Sequence, residues 1–445
     1  MIMHRIRFAT FSLLAAAHTV AAPARAQAPL ALDAATRQQV VDTLAARLTR
    51  FYVDADTGRM IADRLQQRAR SGAYDQSDPR RFADLLTADL QSVNGDKHLS
   101  ASYTPPGPAN PAGAPPGRSA AQAETARRDH WGLPRTEVLP GNVGYMKVTS
   151  FEGSPAAIDA TASALRFLES TDAMIFDFRG MNGGSGEQSN YLISHFTSPD
   201  TVPSLVISSR IQGTRTRYTL GKVPGTRRPA VPIWILTDRG TASAGEDFSF
   251  VLQQLGRART VGDRTAGAGH NNMSSQLGLG FAASLSVTRV SDARTHKEWE
   301  RVGVLPDVAV KPSDAMDVAY VAALDSLARA EKDAGARAQL SVIRDGAWAS
   351  SDPHIVPATT LAALAGTYEG GRIIAVEGGR LTFRRDASRP PRGMVAVDDS
   401  TFVLGGNLRV RFERTRDGTN MVQQLADGSL FTTRRTGDVP GDLAP

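Results

Sequence analysis

Ser243 has the sequence context of a nucleophile in this 445-residue chain. It follows an apolar run at residues 233–236 and a short turn, and it precedes a stretch that is typical of a helix starting near Glu246. A serine on a strand-to-helix turn lies close to free backbone N–H groups and to the positive end of the helix dipole. Acyl transfer needs such donors for its tetrahedral oxyanion. The same pattern also fits an ordinary N-cap serine.

A second segment with this context runs from Asp177 to Gly184, between a buried apolar run and a predicted helix. It ends in the pair Gly183-Gly184. Adjacent glycines let a backbone approach a substrate closely and expose its N–H groups. A plain turn between a strand and a helix would use glycine in the same way.

Two titratable residues in other loops have the chemistry of a general base and an acid. His98 follows a predicted helix, and an imidazole in a loop can accept a proton near neutral pH. Glu300 precedes the segment Gly303–Asp307. Taken singly, His98 fits a histidine without a catalytic role, and Glu300 fits a solvated surface acid.

These residues have to be positioned by an α/β core. Periodicity predicts strands at 143–149, 173–178, 204–208, 231–236 and 259–261, and helices at 155–169, 187–196 and 246–255. Such alternation indicates a largely parallel sheet covered by helices. Residues 276–290 predict a hairpin, and residues 315–343 predict a long amphipathic helical region.

The flanking segments differ from the core in composition. Residues 33–92 predict three helices, and residues 104–117 hold six prolines and three glycines, which indicates a loop or linker. Residues 359–437 show short alternating runs between glycine and aspartate turns, which predict an antiparallel β domain, either a small barrel or a curved sheet. We therefore divide the chain into a signal peptide (1–26), an N-terminal helical domain (27–103), a Pro/Gly-rich linker or loop (104–141), an α/β core with the candidate catalytic residues (142–350) and a C-terminal β domain (355–440).

The first 26 residues have the features of a cleaved secretory signal. Arg5 and Arg7 form a basic start, residues 8–22 are apolar, and the run 24–26 is a small-x-small cleavage pattern. The mature chain would begin near Gln27 and act in the periplasm or outside the cell. A retained membrane anchor is the alternative, although the apolar stretch is short for a span.

Composition excludes several classes of site and partner. The chain has no cysteine, which excludes disulfides, a thiol nucleophile and thiolate metal sites. The net charge of +6 falls to about +3 without the signal and is spread along the chain, so we expect no nucleic-acid partner. No cluster of histidine and acidic residues at ligand spacing is found in the sequence, so we expect no metal or organic cofactor. No pattern in the sequence defines an oligomeric state.

Four motifs together, and in this order along the chain, resemble peptidase family S41. That family contains the C-terminal processing or tail-specific peptidases, the tricorn core and the interphotoreceptor retinoid-binding protein modules. The matching segments lie within residues 35–312 and are Asp177–Gly184, Thr241–Glu246, Gly262–Gly269 and Gly303–Asp307. The resemblance implies an α/β core of the ClpP/crotonase type.

One difference favours the branch that is similar to the retinoid-binding protein and to tricorn. Processing peptidases have a lysine base 25 residues after the serine, and here that residue is Ala268. The favoured branch has instead a histidine in a D-x-H-L loop and an acid before the G-V-x-P-D strand, positions held by His98 and Glu300. Tricorn adds a serine before the histidine, where this chain has Lys97; Ser100 and Ser150 are weaker candidates for that role.

The resemblance implies a serine peptidase acting on proteins or peptides through Ser243, His98 and Glu300. The oxyanion hole would be formed by the N–H groups of Ala244 and of Gly183 or Gly184. His270 is a second, weaker candidate for the base. Two other functions stay open, a non-catalytic carrier of hydrophobic ligands and a periplasmic serine esterase.

Overall fold

The computed structural model describes residues 32–105, 120–351, 354–405, 408–425 and 427–441. The predicted signal segment, residues 1–26, lies outside the described residues, and so does most of the proline-rich run. Among the described helices, none is both long enough and apolar enough to cross a lipid bilayer.

Three helices open the described chain, where the sequence predicts them. They are α1 (Ala34–Phe51), α2 (Ala55–Arg70) and α3 (Pro79–Ser92). Each begins at an aspartate whose carboxylate accepts a backbone N–H of the first turn, namely Asp33, Asp54 and Asp78. The apolar residues that recur at helical spacing face inward and are fully buried, as are Val40, Leu44 and Leu48.

The following segment alternates strands and helices up to residue 351. Its elements are β1 (Ser100–Tyr103), α4 (Ala120–Arg128), β2 (Arg135–Leu139), β3 (Val143–Lys147), α5 (Pro155–Phe167), β4 (Ala173–Asp177), α6 (Gly186–His195), β5 (Pro203–Ser209), β6 (Gly213–Tyr218), β7 (Ile233–Thr237), α7 (Ala244–Gln254), β8 (Arg259–Gly262), β9 (Asn271–Gly278), β10 (Phe281–Asp292), β11 (Val308–Ala309), α8 (Ala315–Ala330) and α9 (Ala334–Ser351).

Six of these strands form a central sheet in the order β11-β8-β7-β4-β3-β2. All neighbours are parallel except β2, which pairs antiparallel with β3 at one edge. Alternate side chains of β4 face opposite sides of the sheet. Met174 and Phe176 pack in a core with side chains of α6 and α7. Ile175 packs in a second core with side chains of α8. The sheet is thus covered by helices on both faces, which confirms the predicted α/β core.

A second sheet connects the N-terminal helices to this core. Strand β10 pairs with β9 along one side and with β1 and then β5 along the other. Phe281 and Leu285 of β10 share a buried cluster with the inward residues of α1, α2 and α3. Because β1 follows the loop that carries His98, and β9 begins directly after residues 262–270, this sheet brings those two loops to one place.

The C-terminal segment is an antiparallel β unit, as predicted. It contains α10 (Ala358–Leu364) and the strands β12 (Gly366–Tyr368), β13 (Arg372–Glu377), β14 (Arg380–Arg384), β15 (Arg392–Gly393), β16 (Val395–Ala396), β17 (Thr401–Leu404), β18 (Leu408–Thr415), β19 (Gly418–Leu425) and β20 (Leu430–Gly437). The short strands β15 and β16 adjoin each other and pair with β14 and β17 respectively, so the sheet nearly closes on itself like a barrel.

Two sequence predictions need correction. The stretch 104–141 is not all linker, because α4 and the edge strand β2 lie in it. Strand β2 is polar and half-exposed, so it lacks the apolar run that marks its neighbours. The predicted long helix at 315–343 is two helices, because the backbone turns extended at Glu331 and the Asp333 carboxylate accepts the N–H of Ala336 at 2.8 Å at the start of α9.

Candidate active site

Ser243 lies in a strained turn between β7 and α7. Its backbone has φ 52° and ψ −117°, in the left-handed half of conformational space that a residue with a side chain rarely adopts. The preceding Thr241 is buried and anchors the turn, since its hydroxyl donates to the Phe178 carbonyl at 2.8 Å. Strain of this kind persists only where the surroundings enforce it, and it is common at nucleophiles on strand-to-helix turns.

The paired glycines of the second motif lie against this turn. A Cβ at Gly183 would lie 2.7 Å from Cβ of Ser243 and 3.2 Å from the nitrogen of Ala244, so no side chain fits there. Both glycines have left-handed φ values, 100° for Gly183 and 123° for Gly184. Within the described residues, the N–H groups of Gly183, Gly184 and Ala244 have no acceptor. Unused donors beside a serine are what an oxyanion requires.

Glu246 ties the nucleophile turn to the glycine turn at residues 262–269. Its carboxylate accepts the N–H of Ser243 at 2.9 Å, the Thr265 hydroxyl at 2.5 Å and the N–H groups of Gly267 and Ala268 at 2.7 and 2.8 Å. Burial raises the pKa of Glu246, and these four hydrogen bonds only partly offset that rise. Ala268 itself is buried, and its methyl group has no proton to exchange.

Asp96 joins three distant segments through one carboxylate. Oδ1 accepts the N–H of His98 at 3.0 Å, and Oδ2 lies 3.0 Å from Nδ1 of His270. Oδ2 also accepts the hydroxyl proton of Tyr52 at 2.9 Å. Burial of Asp96 opposes its charge, but the hydrogen bonds from His270 and other neighbours prevail and lower its pKa to about 2. The loop that carries His98 is therefore held to the glycine turn by a buried anion.

His98 is held in its neutral form by its surroundings. Its side chain is half-buried, and Nδ1 is buried with no hydrogen-bond partner in the described part of the chain. Burial lowers the pKa of His98, the Asp96 charge opposes that change, and His270 adds to it. A neutral imidazole at pH 7 is the form that accepts a proton as a general base.

Glu300 contacts His270 rather than His98. Its Oε2 accepts the N–H groups of Gly269 at 2.7 Å and His270 at 3.0 Å, and it lies 3.7 Å from Nδ1 of His270. No hydrogen bond or ion pair joins Glu300 to His98 across the described ranges, so the simple triad contact expected from the sequence is not formed in this structure. Burial raises the pKa of Glu300, while the positive charge available on His270 lowers it. His270 thus lies in contact with both acids.

Asp96, His270 and Glu300 also place three ligand atoms within 4.8 Å of one another. Oxygen and imidazole ligands at such distances are compatible with a divalent cation. The sequence showed no such set, because Asp96 and His270 are 174 residues apart and only the fold brings them together. In this structure Nδ1 of His270 and Oδ2 of Asp96 are hydrogen-bonded to each other.

The sequence interpretation missed the roles of Glu246, Asp96 and Tyr52. Glu246 had a detectable signal, because a glutamate three residues after a cap serine is the spacing of a capping box. Asp96 is the aspartate of the D-x-H-L loop that contains His98, but the sequence alone assigned it no function. Tyr52 had no signal, because it ends an amphipathic helix and its hydroxyl reaches Asp96 only in the folded chain.

Asp96→Asn is expected to destabilise the protein by about 2 kcal/mol at neutral pH. The reason is that a carboxylate whose pKa falls from its usual 3.8 to about 2 stabilises the fold as an anion. This contribution is complete above the unfolded pKa and is lost as the pH falls through the folded one. Urea unfolding at pH 7 and at pH 3 measures the difference, which should shrink at the lower pH.

The matched control is Asp84→Asn, which removes an exposed aspartate from α3. Its free energy of unfolding should change by less than about 0.5 kcal/mol at either pH. Equal, small changes for both variants would contradict a tethering role for Asp96.

A serine on a strained strand-to-helix turn, unused N–H donors and a buried histidine–acid cluster define the class of site found in serine hydrolases. The model described as Peptidase family S41 matches residues 142–310, and the model described as the N-terminal domain of Peptidase_S41 in eukaryotic IRBP matches residues 21–129. Together the two models match more than half of the chain. The chain belongs to peptidase family S41.

Two curated relatives each match less than half of this chain. A carboxyl-terminal-processing protease of Synechocystis sp. is 31% identical over 199 residues, which are 42% of this chain and 44% of that protein. The carboxy-terminal processing protease CtpB of Bacillus subtilis is 29% identical over 178 residues, 39% of this chain and 35% of that protein. The chain thus spans less than half the length of either relative.

Among solved structures, a lipoprotein from Streptococcus agalactiae gives a TM-score of 0.47 at 17% identity, over 65% of this chain and 96% of that one. A photosystem II D1 C-terminal processing protease gives 0.38 at 18% identity, over 62% and 93%.

Proposed function

We propose that this protein is a serine peptidase that hydrolyses peptide bonds with Ser243 as its nucleophile. The observation that carries the proposal is the strained Ser243 turn packed against Gly183, with N–H donors of Gly183, Gly184 and Ala244 left unused beside it. A serine that served only as a helix cap would not require this backbone strain or glycines against its Cβ. Membership of family S41 supports the same reaction.

In the proposed reaction His98 removes the proton from Ser243 Oγ as that oxygen attacks the carbonyl carbon of the substrate. The carbonyl oxygen becomes an oxyanion that accepts hydrogen bonds from Ala244 and from Gly183 or Gly184. The protonated His98 then gives its proton to the leaving amine, which departs and leaves an acyl-enzyme. A water molecule, deprotonated by His98, hydrolyses the acyl-enzyme and restores Ser243.

Glu300 acts through His270 in this proposal. The Asp96 anion favours the protonated form of His98, which forms during the reaction, because it lies in the same loop and raises the pKa of His98. Glu300 holds His270 and the glycine turn in place through three contacts. The positive charge that develops on His98 is therefore balanced by a buried carboxylate network rather than by one directly bonded acid.

We also propose the substrate class and the place of action. The two relatives are carboxyl-terminal processing proteases by name, which supports a polypeptide substrate. Ala268 in the place of the processing-peptidase lysine supports the retinoid-binding-protein-like and tricorn-like branch. The basic start, apolar run and small-x-small pattern of residues 1–26 support export to the periplasm or the medium.

The finer description of the fold is likewise a proposal. The order of parallel strands and covering helices in residues 142–350 supports a core of the ClpP/crotonase type. The helices at the start and the nearly closed β unit at the end support the division into 27–103, 142–350 and 355–440.

A carrier of hydrophobic ligands is the rival function, and one observation favours it. A cavity of about 440 Å³ lies between the end of α9 and the C-terminal β unit, and its lining includes the apolar side chains of Val356, Leu381 and Phe402. A carrier needs an apolar cavity, but it has no need of an activated serine. An esterase would use the same serine on a different bond.

A fluorophosphonate probe separates these functions, because it reacts with activated serines. We expect the purified protein to be labelled at Ser243, as mapped by mass spectrometry, and to cleave an unstructured protein substrate at amide bonds. A folded protein that resists labelling yet binds a fluorescent fatty acid would support the carrier. Labelling with turnover of esters only would identify an esterase.

A further inference from the structure

A cationic cavity of about 290 Å³ lies beside the candidate active site. Its wall is formed by the His98 loop, the glycine turn and the segment after Glu300, and these loops contribute Lys97, Arg264 and Arg301. Arg239, from the turn before Ser243, completes the cationic lining. All four side chains belong to exposed residues, so the cavity opens to solvent.

The charges in this cavity are not balanced. Arg239 pairs with Asp263 at 2.8 Å, and the Lys97 ammonium donates to the Ala266 carbonyl at 2.5 Å. In the described part of the chain, Arg264 and Arg301 form no ion pair. Asp263 also lies within electrostatic reach of Arg264, so one carboxylate faces several cations and the cavity keeps an excess of positive charge for an anion from outside.

The loops that line the cavity also carry the candidate catalytic residues. Lys97 is next to His98 and Arg301 is next to Glu300 in the sequence. The Arg301 N–H donates to the Gly267 carbonyl at 2.8 Å, in the turn that Glu246 holds against Ser243. A ligand in the cavity would therefore contact the same three loops that position the proposed nucleophile, base and acid.

We propose that this cavity binds a carboxylate group of the peptide substrate, an inference that rests on the proposed peptidase function. Guanidinium groups bind carboxylates through two parallel hydrogen bonds, and arginine retains its charge at any working pH. The exposed side chain of Val302 lies in the same lining and offers apolar contact next to the charged groups. The carboxylate is either the α-carboxylate of the last residue or an aspartate or glutamate side chain.

Binding is measured on the Ser243→Ala protein, which holds a peptide without cleaving it. Three fluorescent peptides of one sequence are compared by anisotropy: one with a free carboxyl terminus, one amidated, and one amidated with glutamate replacing an internal glutamine. We expect one of the two carboxylate peptides to bind about tenfold more tightly than the neutral amide, as a charge-assisted hydrogen bond would give. Preference for the free acid identifies the α-carboxylate, and preference for the glutamate peptide identifies a side chain.

The variant Arg264→Gln/Arg301→Gln, made in the same background, should remove this preference. Arg215→Gln is the control, because Arg215 is an exposed arginine on β6 outside the cavity lining; it should keep the preference. Equal binding of all three peptides, or a preference that survives the double substitution, would overturn the inference. Labelling of the wild-type serine is a separate measurement, so a failed peptidase proposal is distinguishable from a failed carboxylate site.

Discussion

Ser243→Ala is expected to lower peptide hydrolysis by at least about 10⁴-fold and to abolish fluorophosphonate labelling. The substitution removes the attacking oxygen, which belongs to the residue whose Cβ lies against Gly183. Alanine has a Cβ like serine, so the left-handed backbone at φ 52° and the contact with Gly183 are unchanged. The free energy of unfolding should fall by no more than about 1 kcal/mol, the usual cost of replacing an N-cap serine by alanine.

The control for this prediction is Ser249→Ala, six residues further along the chain and within α7. Ser249 is buried and its hydroxyl donates to the Gly245 carbonyl at 2.8 Å, so its loss costs stability without removing the proposed nucleophile. Hydrolysis by the folded Ser249 variant should stay within a few-fold of wild type. Wild-type hydrolysis by Ser243→Ala would show that another residue is the nucleophile.

The sequence predicted the parts of this site that depend on local order. Ser243 lies where an apolar strand gives way to a helix, and Gly183-Gly184 lies after another such strand. Since parallel strands β4 and β7 are neighbours, their carboxyl ends meet at one edge of the sheet, and both turns lie there. Periodicity and glycine placement predicted the two turns, whereas their meeting at one edge follows from the pairing of β4 with β7, which periodicity does not define.

The partners of the two histidines could not be predicted in the same way. Asp96 reaches His270 across 174 residues, and the contact depends on how β10 pairs with both β1 and β9. A register change by one residue would exchange the faces of these strands and separate the loops. Strand β2 was missed for a different reason, because an edge strand with a polar sequence has no burial pattern to detect.

His98→Ala is expected to lower kcat/KM by about 10²–10⁴-fold, the range for loss of a general base, whereas His270→Ala should cost about tenfold. His98 is neutral through burial, while His270 has its Nδ1 occupied by Asp96 at 3.0 Å and holds the network. His270→Ala should also destabilise the protein by about 1–3 kcal/mol, because Asp96 loses a buried partner. Peptide kinetics and urea unfolding measure these two effects.

The pH profile distinguishes the two histidines further. Burial lowers the pKa of His98 from its usual 6.5, so the acid limb of kcat/KM should lie below that pH in the wild type. The charge on His270 contributes to this lowering, so His270→Ala should move the limb to higher pH while activity remains. The base would be His270 instead if His98→Ala kept its labelling and His270→Ala lost it, because only the true base is needed to activate Ser243.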